Sequence, residues 1–121
     1  MTTGKKVPVR AVKRLSEAIG YLELQMPRHA ADCLKGLDDA GPLTAAVEII
    51  RGEAARRESR FDDAAEAFEH AARILPENPG KFVWLLLSRL YFETGDTRRA
   101  TETLARARGA SPPPQTRPDS N

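Results

Sequence analysis

Cysteine and long hydrophobic runs are both nearly absent from this chain of 121 residues. Its one cysteine, Cys33, cannot form an internal disulfide, so we expect a reducing, cytoplasmic location. The longest apolar run, Phe82–Leu87, is far shorter than the roughly 20 residues that span a bilayer. The basic N-terminal stretch as far as Arg14 also lacks the apolar core of a secretory signal. We therefore expect no membrane partner.

A large excess of charge of one sign is also missing. The chain has 19 Lys+Arg and 17 Asp+Glu, which gives a formal net charge of +2. This balance provides no strong attraction to nucleic acid. The basic residues between Lys5 and Arg14 include no aromatic side chain that could stack on a base. We interpret residues 1–8 as a flexible, basic arm, and a nucleic-acid partner is not favoured.

Motifs that are typical of catalytic or metal sites are absent as well. The sequence has no glycine-rich phosphate loop and no nucleophile elbow. His29 and Cys33 are four residues apart and His70 is far along the chain, but no cluster at metal-ligand spacing accompanies them. Asp38–Asp39 and Asp62–Asp63 are interpreted as helix-end charges. The sequence therefore predicts no enzyme, no catalytic residue, no metal ligand and no cofactor.

The chain does contain a pattern that repeats after 34 and then 36 residues. Each copy has an alanine, a large apolar residue four positions later, a further apolar residue after three more, and then a proline. The matching positions are Ala30, Ala64 and Ala100; Leu34, Phe68 and Leu104; Leu37, Ala71 and Ala107; and Pro42, Pro76 and Pro112. A period of this length is typical of stacked helix pairs and indicates a binding surface rather than a catalytic pocket.

The spacing of apolar residues predicts a helix on each side of every turn signal and no strand. The six predicted helices cover about Pro8–Leu24, Pro27–Leu37, Leu43–Glu58, Phe61–Ile74, Lys81–Thr94 and Thr97–Arg108. Gly41-Pro42 and the segment Pro76–Gly80 are predicted to be breaks between helices. Four prolines in residues 111–121 cannot continue a helix, so we expect a disordered Pro-rich tail there.

These blocks resemble the tetratricopeptide repeat. The third block has Trp84, Leu87, Ser88, Tyr91 and Gly95 ahead of its alanine; the second keeps Gly52 and Ala55, and the first keeps Ala18 and Tyr21. The resemblance implies an all-α, right-handed superhelical solenoid of about three helical hairpins. We expect them at about residues 11–42, 45–78 and 81–112, within an ordered region of 9–110.

The spacing also has a physical reason, because two helices pack closely only where some contact residues are small. Ala18, Gly52 and Ser88 supply small residues on the first helix of each pair, and the three repeated alanines supply them on the second. The sequence departs from the family pattern where Glu48 and Arg51 occupy the positions of Trp84 and Leu87. It departs again at Gln25, where a glycine is usual, and in the prolines that preclude a further capping helix.

The resemblance further implies that the first helix of each pair lines a concave groove for a protein partner. The predicted lining is Leu15, Ile19 and Leu22, then Ile49, Glu53, Arg56 and Arg57, and finally Phe82, Leu85, Arg89 and Phe92. This groove is largely apolar. Its arginines could hold a carboxylate, but we expect them to be solvated or paired with Glu53 and Glu93.

The fifth helix is apolar almost all round, and such a helix requires cover on every side. Its own hairpin and the preceding repeat leave Leu85 and Phe92 to be covered by something else. Three covers are open: a partner's amphipathic helix or extended peptide, a second copy of the chain, or the chain's own tail or arm. The leading hypothesis is a non-enzymatic protein-interaction module, and the alternative is a homodimer that closes the same face.

Overall fold

The computed structural model describes residues 8–109, and this part of the chain is all-α. The helices are α1 (Val9–Glu23), α2 (Pro27–Cys33), α3 (Thr44–Arg57), α4 (Phe61–Ile74), α5 (Glu77–Glu93) and α6 (Thr97–Ala107). A short 3-10 turn, Gly41–Leu43, leads into α3. The predicted all-α fold of six helices is confirmed. The predicted tail, and all of the predicted arm except Pro8, lie outside the described residues.

The helices pack as three successive hairpins. The pairs α1–α2, α3–α4 and α5–α6 make close contacts, and the second helix of each pair also contacts the first helix of the next pair. In addition, α1 touches α3. The first helices of the first two repeats therefore also lie beside each other. The right-handed twist and the repeat boundaries stay predictions.

Small residues lie at the centre of every hairpin, as the spacing predicts. Ala18, Gly52 and Ser88 on the first helices are all buried, and so are Ala30, Ala64 and Ala100 on the second helices. Large side chains then fill the space around them. One core cluster surrounds Leu34 in the first repeat, and a second surrounds Phe68 where α4 and α5 meet.

Helices α3 and α4 approach each other closely at Gly52. A Cβ atom added to Gly52 would lie 2.6 Å from Cε1 and 2.7 Å from Cδ1 of the Phe68 ring. In the equivalent positions of the first repeat, Ala18 is paired with Leu34. Glycine thus occurs in the repeat that has the largest side chain on the facing helix.

All three first helices end in the same way. Gln25, Ser59 and Gly95 occupy equivalent positions and have φ angles of 61°, 61° and 85°. The residue that follows each one donates its backbone N–H to the carbonyl oxygen five positions back, as in a Schellman motif. These bonds are Met26 to Tyr21 at 2.8 Å, Arg60 to Ala55 at 2.8 Å and Asp96 to Tyr91 at 2.9 Å. Two of the three left-handed positions therefore carry residues that favour this conformation less than glycine does.

Two predicted helix boundaries are wrong. The segment Pro76–Gly80 was expected to be a turn, but α5 already begins at Glu77. Prolines are tolerated there because the N–H groups of a first helical turn need no partner within the helix. The second helix was expected to reach Leu37, but α2 ends at Cys33. The backbone after Cys33 forms hydrogen bonds from residue i to residue i−3, and Gly36 has a φ of 81°.

A polar contact explains the two unusual residues of α3. The Arg51 guanidinium donates to the carbonyl oxygens of Leu34 at 2.7 Å and Leu37 at 3.1 Å, beyond the end of α2. Glu48 accepts from Arg51 at 3.3 Å and lies 3.2 Å from Nδ1 of His70. Charge-assisted hydrogen bonds thus connect the second repeat to the first, at positions where the third repeat has apolar side chains.

Candidate binding groove

A cluster of three charged residues lies in the middle of the predicted groove. Arg56 forms a two-point contact with Glu53, with Nε to Oε1 at 3.1 Å and Nη2 to Oε2 at 2.8 Å. Arg57 Nε donates to the same Oε2 at 2.8 Å. All three residues lie on α3, where spacings of three and four residues place side chains on one face of the helix.

These contacts change the ionisation of the cluster. Burial by itself would raise the pKa of Glu53, but the hydrogen bonds and positive charges of Arg56 and Arg57 outweigh it and hold that pKa below its ordinary value. The bond to Glu53 raises the pKa of Arg56 in turn. The cluster is therefore fully charged near neutral pH, and its two arginines are already committed to a carboxylate.

The cluster also connects the three first helices. Arg57 Nη1 donates to the Leu22 carbonyl oxygen of α1 at 2.7 Å, and Arg56 Nη1 lies 3.5 Å from both carboxylate oxygens of Glu93 on α5. Glu93 was expected to pair with the arginines but was not included in the predicted lining. The structure brings these charged positions of α3 and α5 together on one side of the stack.

The apolar positions of the predicted lining differ in their exposure. Leu15 and Leu22 on α1 are only 9% and 5% exposed and belong to the core, and Ile49 on α3 is half-buried. On α5, by contrast, Leu85 is 46% and Phe92 is 50% exposed. Spacing predicted which residues share a side of each helix but could not indicate how far neighbouring helices cover that side.

The pattern of cover follows the order of the repeats. Leu15, Ile49 and Leu85 occupy equivalent positions, and their exposure rises along the chain. Leu15 belongs to a buried cluster that includes Val47 and Ala54 of α3. Within residues 8–109 no first helix follows α5, so Leu85 lacks such a neighbour.

Four residues on one side of α5 form what we call the α5 stripe: Phe82, Leu85, Arg89 and Phe92. Phe82 is 62% exposed, so all three apolar members present much of their surface to solvent. Spacings of three, four and three residues place the four side chains within an arc of about 80° and along about 15 Å of the helix. Ile19 is also exposed, but it lies on α1 and is therefore not part of the α5 stripe.

A second depression, of about 600 Å³, lies between α2 and α4 with α3 as its floor. Most of its charged groups satisfy one another: Arg60 Nη1 is 2.9 Å from Asp63 Oδ2, and Glu48 is shared by Arg51 and His70. The strongest donors of this depression are therefore already used. We therefore assign the candidate site to the α5 side.

The histidines and the cysteine of the described residues do not form a metal site. In the described part of the chain, no group of three or more His, Cys, Asp or Glu residues is placed to hold a metal ion. His29 instead stacks on the Tyr21 ring, with centroids 5.2 Å apart, and Cys33 is half-buried. No helix between residues 8 and 109 combines the length and the apolar character that crossing a bilayer requires.

The comparisons with known proteins agree with the architecture. No curated protein matches the chain. The tetratricopeptide repeat family model matches residues 55–116, from the end of α3 onward and just over half of the sequence. Repeats of this family are generally protein–protein interaction modules, and the family is typically non-enzymatic. The three hairpins in phase, together with this match, place the chain in the tetratricopeptide repeat family.

Proposed function

We propose that this chain is a non-enzymatic scaffold or adaptor that binds a peptide or an amphipathic helix of another protein in the groove lined by its first helices. One observation carries the proposal: the α5 stripe exposes two phenylalanines and a leucine on one face of a single helix. Exposed apolar surface of this kind typically marks an interaction site. Cys33 is consistent with the expected cytoplasmic location.

Burial of the apolar side chains of the α5 stripe by a ligand would favour binding. Complete burial of a leucine or phenylalanine side chain contributes about 1.5–3 kcal/mol. Since Phe82, Leu85 and Phe92 are roughly half-exposed, covering them would contribute about 1 kcal/mol each. A ligand therefore needs further contacts beyond this strip to overcome the cost of association. Ile19 and the half-buried Ile49 on the same groove can supply some of them.

The test is partner capture from the native cell, followed by mass spectrometry. The double variant Leu85→Glu/Phe92→Glu should lose the partner and keep its helical circular dichroism. Ile74→Glu is the matched control, because Ile74 lies on α4 outside the groove and is 46% exposed, as Leu85 is. A partner that the double variant still captures as well as the control does would contradict the proposal.

The alternative function is self-association through the same face. The spacing of the α5 stripe would also let two α5 helices pack against each other. Light scattering after size exclusion distinguishes the two functions, since a homodimer has twice the 13.3 kDa mass of one chain. A dimer that the double variant converts to monomer would favour self-association. Removal of residues 110–121 tests cover by the chain's own tail, because that deletion should then strengthen capture.

A further inference from the structure

We infer that the ligand of this groove is an α-helix, and that it places an acidic side chain against Arg89 between two or three apolar anchors. The inference rests on the proposed function and specifies the chemistry of its ligand. Three features of the described residues support it: the pairing of the groove's polar groups, the charge left at Arg89, and the polar residues that replace apolar ones at packing positions of both ends of the stack.

The first feature is the scarcity of free polar groups around the α5 stripe. An extended peptide brings unpaired backbone N–H and C=O groups, and burying them without partners is costly. The backbone of α5 is internally bonded as a helix, and Glu53, Arg56 and Arg57 bond to one another. A helical ligand satisfies its own backbone, so it can cover the stripe at no such cost.

The second feature is the charge of the groove. Arg56, Arg57 and Arg89 face only two carboxylates, Glu53 and Glu93, and Glu93 is already shared with Arg56. The closest contact between Arg89 and Glu93 is 3.8 Å, which is longer than a hydrogen bond. Within residues 8–109 Arg89 makes no hydrogen bond through its side chain, and it remains exposed.

Arg89 therefore determines which helices can bind. It lies in the α5 stripe between Leu85 and Phe92, so any helix that covers both anchors also removes water from its guanidinium. A charge that loses its water without gaining a partner opposes binding. A carboxylate on the ligand would replace the lost water as a hydrogen-bond partner of the guanidinium. A helix with a neutral or basic residue at this point is disfavoured by the same contact.

The third feature concerns where an added helix can lie. In α3 and α5, the residues that pack on the preceding repeat are Val47, Ile50, Ala54, Val83, Leu86 and Leu90; in α1 the equivalent residues are Lys13, Ser16 and Gly20. At the other end, Thr101 of α6 and Arg108, which follows α6, are exposed at the positions where α4 has Ala65 and Ala72. At these positions both ends are less apolar than the interfaces inside the stack, which favours the stripe as the place for an added helix.

Selection from a displayed library tests the inference. The probe is a helical 18-residue peptide scaffold, randomised at four positions with the three–four–three spacing of the stripe. We expect the wild-type protein to retain peptides with large apolar residues and an Asp or Glu at one inner position. We expect Arg89→Glu to select Lys or Arg there instead. Identical selections from the two proteins would overturn the inference.

Affinities of the selected peptides give a quantitative check by fluorescence anisotropy. Replacing the selected acid by its amide should weaken binding to wild type about 5- to 10-fold, the range for a partly desolvated ion pair. The same replacement should have no effect on Arg89→Gln. A central proline in the peptide should weaken binding by more than about 100-fold, because it breaks a helix. Tolerance of the proline would show an extended ligand and overturn the inference.

The outcome also separates this inference from the function on which it rests. Suppose that wild type retains peptides that Leu85→Glu/Phe92→Glu loses, but that replacing the acidic residue of these peptides changes binding equally with and without Arg89. The groove then binds ligands, and only the present inference fails. If wild type retains no more peptide than the double variant does, both fail together.

Discussion

Replacement of Gly52 by alanine is expected to destabilise the protein, although alanine is the better helix former. In an open helix interior, glycine to alanine stabilises by about 1 kcal/mol. At Gly52 the added methyl group would lie 2.6, 2.7 and 3.0 Å from three atoms of the Phe68 ring. That ring is 1% exposed and has little room to move.

The expected cost follows from these distances. Overpacking a filled core costs about 1–3 kcal/mol, and contacts this short place Gly52→Ala in the upper part of that range. After the gain in helix propensity, we expect a net loss of about 1–2 kcal/mol of unfolding free energy. The double variant Gly52→Ala/Phe68→Leu recreates the Ala18 and Leu34 pair of the first repeat. It should be more stable than the sum of its single variants by about 1–2 kcal/mol.

Urea denaturation followed by far-ultraviolet circular dichroism measures all four proteins of this cycle. Gly20→Ala is the matched control, since Gly20 lies inside α1 and an added Cβ there meets nothing within 4 Å. It should stabilise by about 0.5–1 kcal/mol. If Gly52→Ala were as stabilising as Gly20→Ala, the close approach of α3 and α4 would be refuted.

Three further predictions concern the contacts between and within repeats. Arg51→Met should lower the unfolding free energy by about 2 kcal/mol, because two carbonyl oxygens lose a charged donor. Arg51→Lys should lose less of this free energy than Arg51→Met but still be less stable than wild type, and urea denaturation midpoints would measure both changes. Gln25→Gly and Ser59→Gly should each stabilise by about 0.5–1 kcal/mol, since both residues have φ near 61°; a fall in thermal midpoint would contradict this. Because the pKa of Glu53 is below its ordinary value, its contribution to stability is complete above a pH of about 4.3 and is lost as the pH falls through the lowered pKa. Glu53→Gln should lack that part of the acid sensitivity in urea titrations at several pH values.

Much of the fold follows from local rules that the sequence displays directly. Small residues such as Ala64 recur where helices must approach, and all six of these positions are buried. The repeated proline and glycine signals place the hairpins in order. These features depend on residue size and period, which a sequence shows without reference to distant contacts.

The features that sequence reasoning missed depend on distant partners. The early end of α2 goes with the contact that Arg51, seventeen residues away, makes with Leu34. The early start of α5 is different, because it is a local feature: Pro79 is tolerated in a first helical turn. In the candidate groove, Leu15 and Leu22 were predicted to line the surface but belong to the core, because their cover depends on neighbouring helices that spacing does not show.

The most direct test of the account is site-specific photocrosslinking in the native cell. A photoreactive phenylalanine analogue placed at Phe82 or Phe92 should crosslink one discrete protein partner, and the same analogue at Ile74 should not. Equal crosslinking from Ile74, or no product from either position of the α5 stripe, would contradict the claim that this stripe binds the ligand.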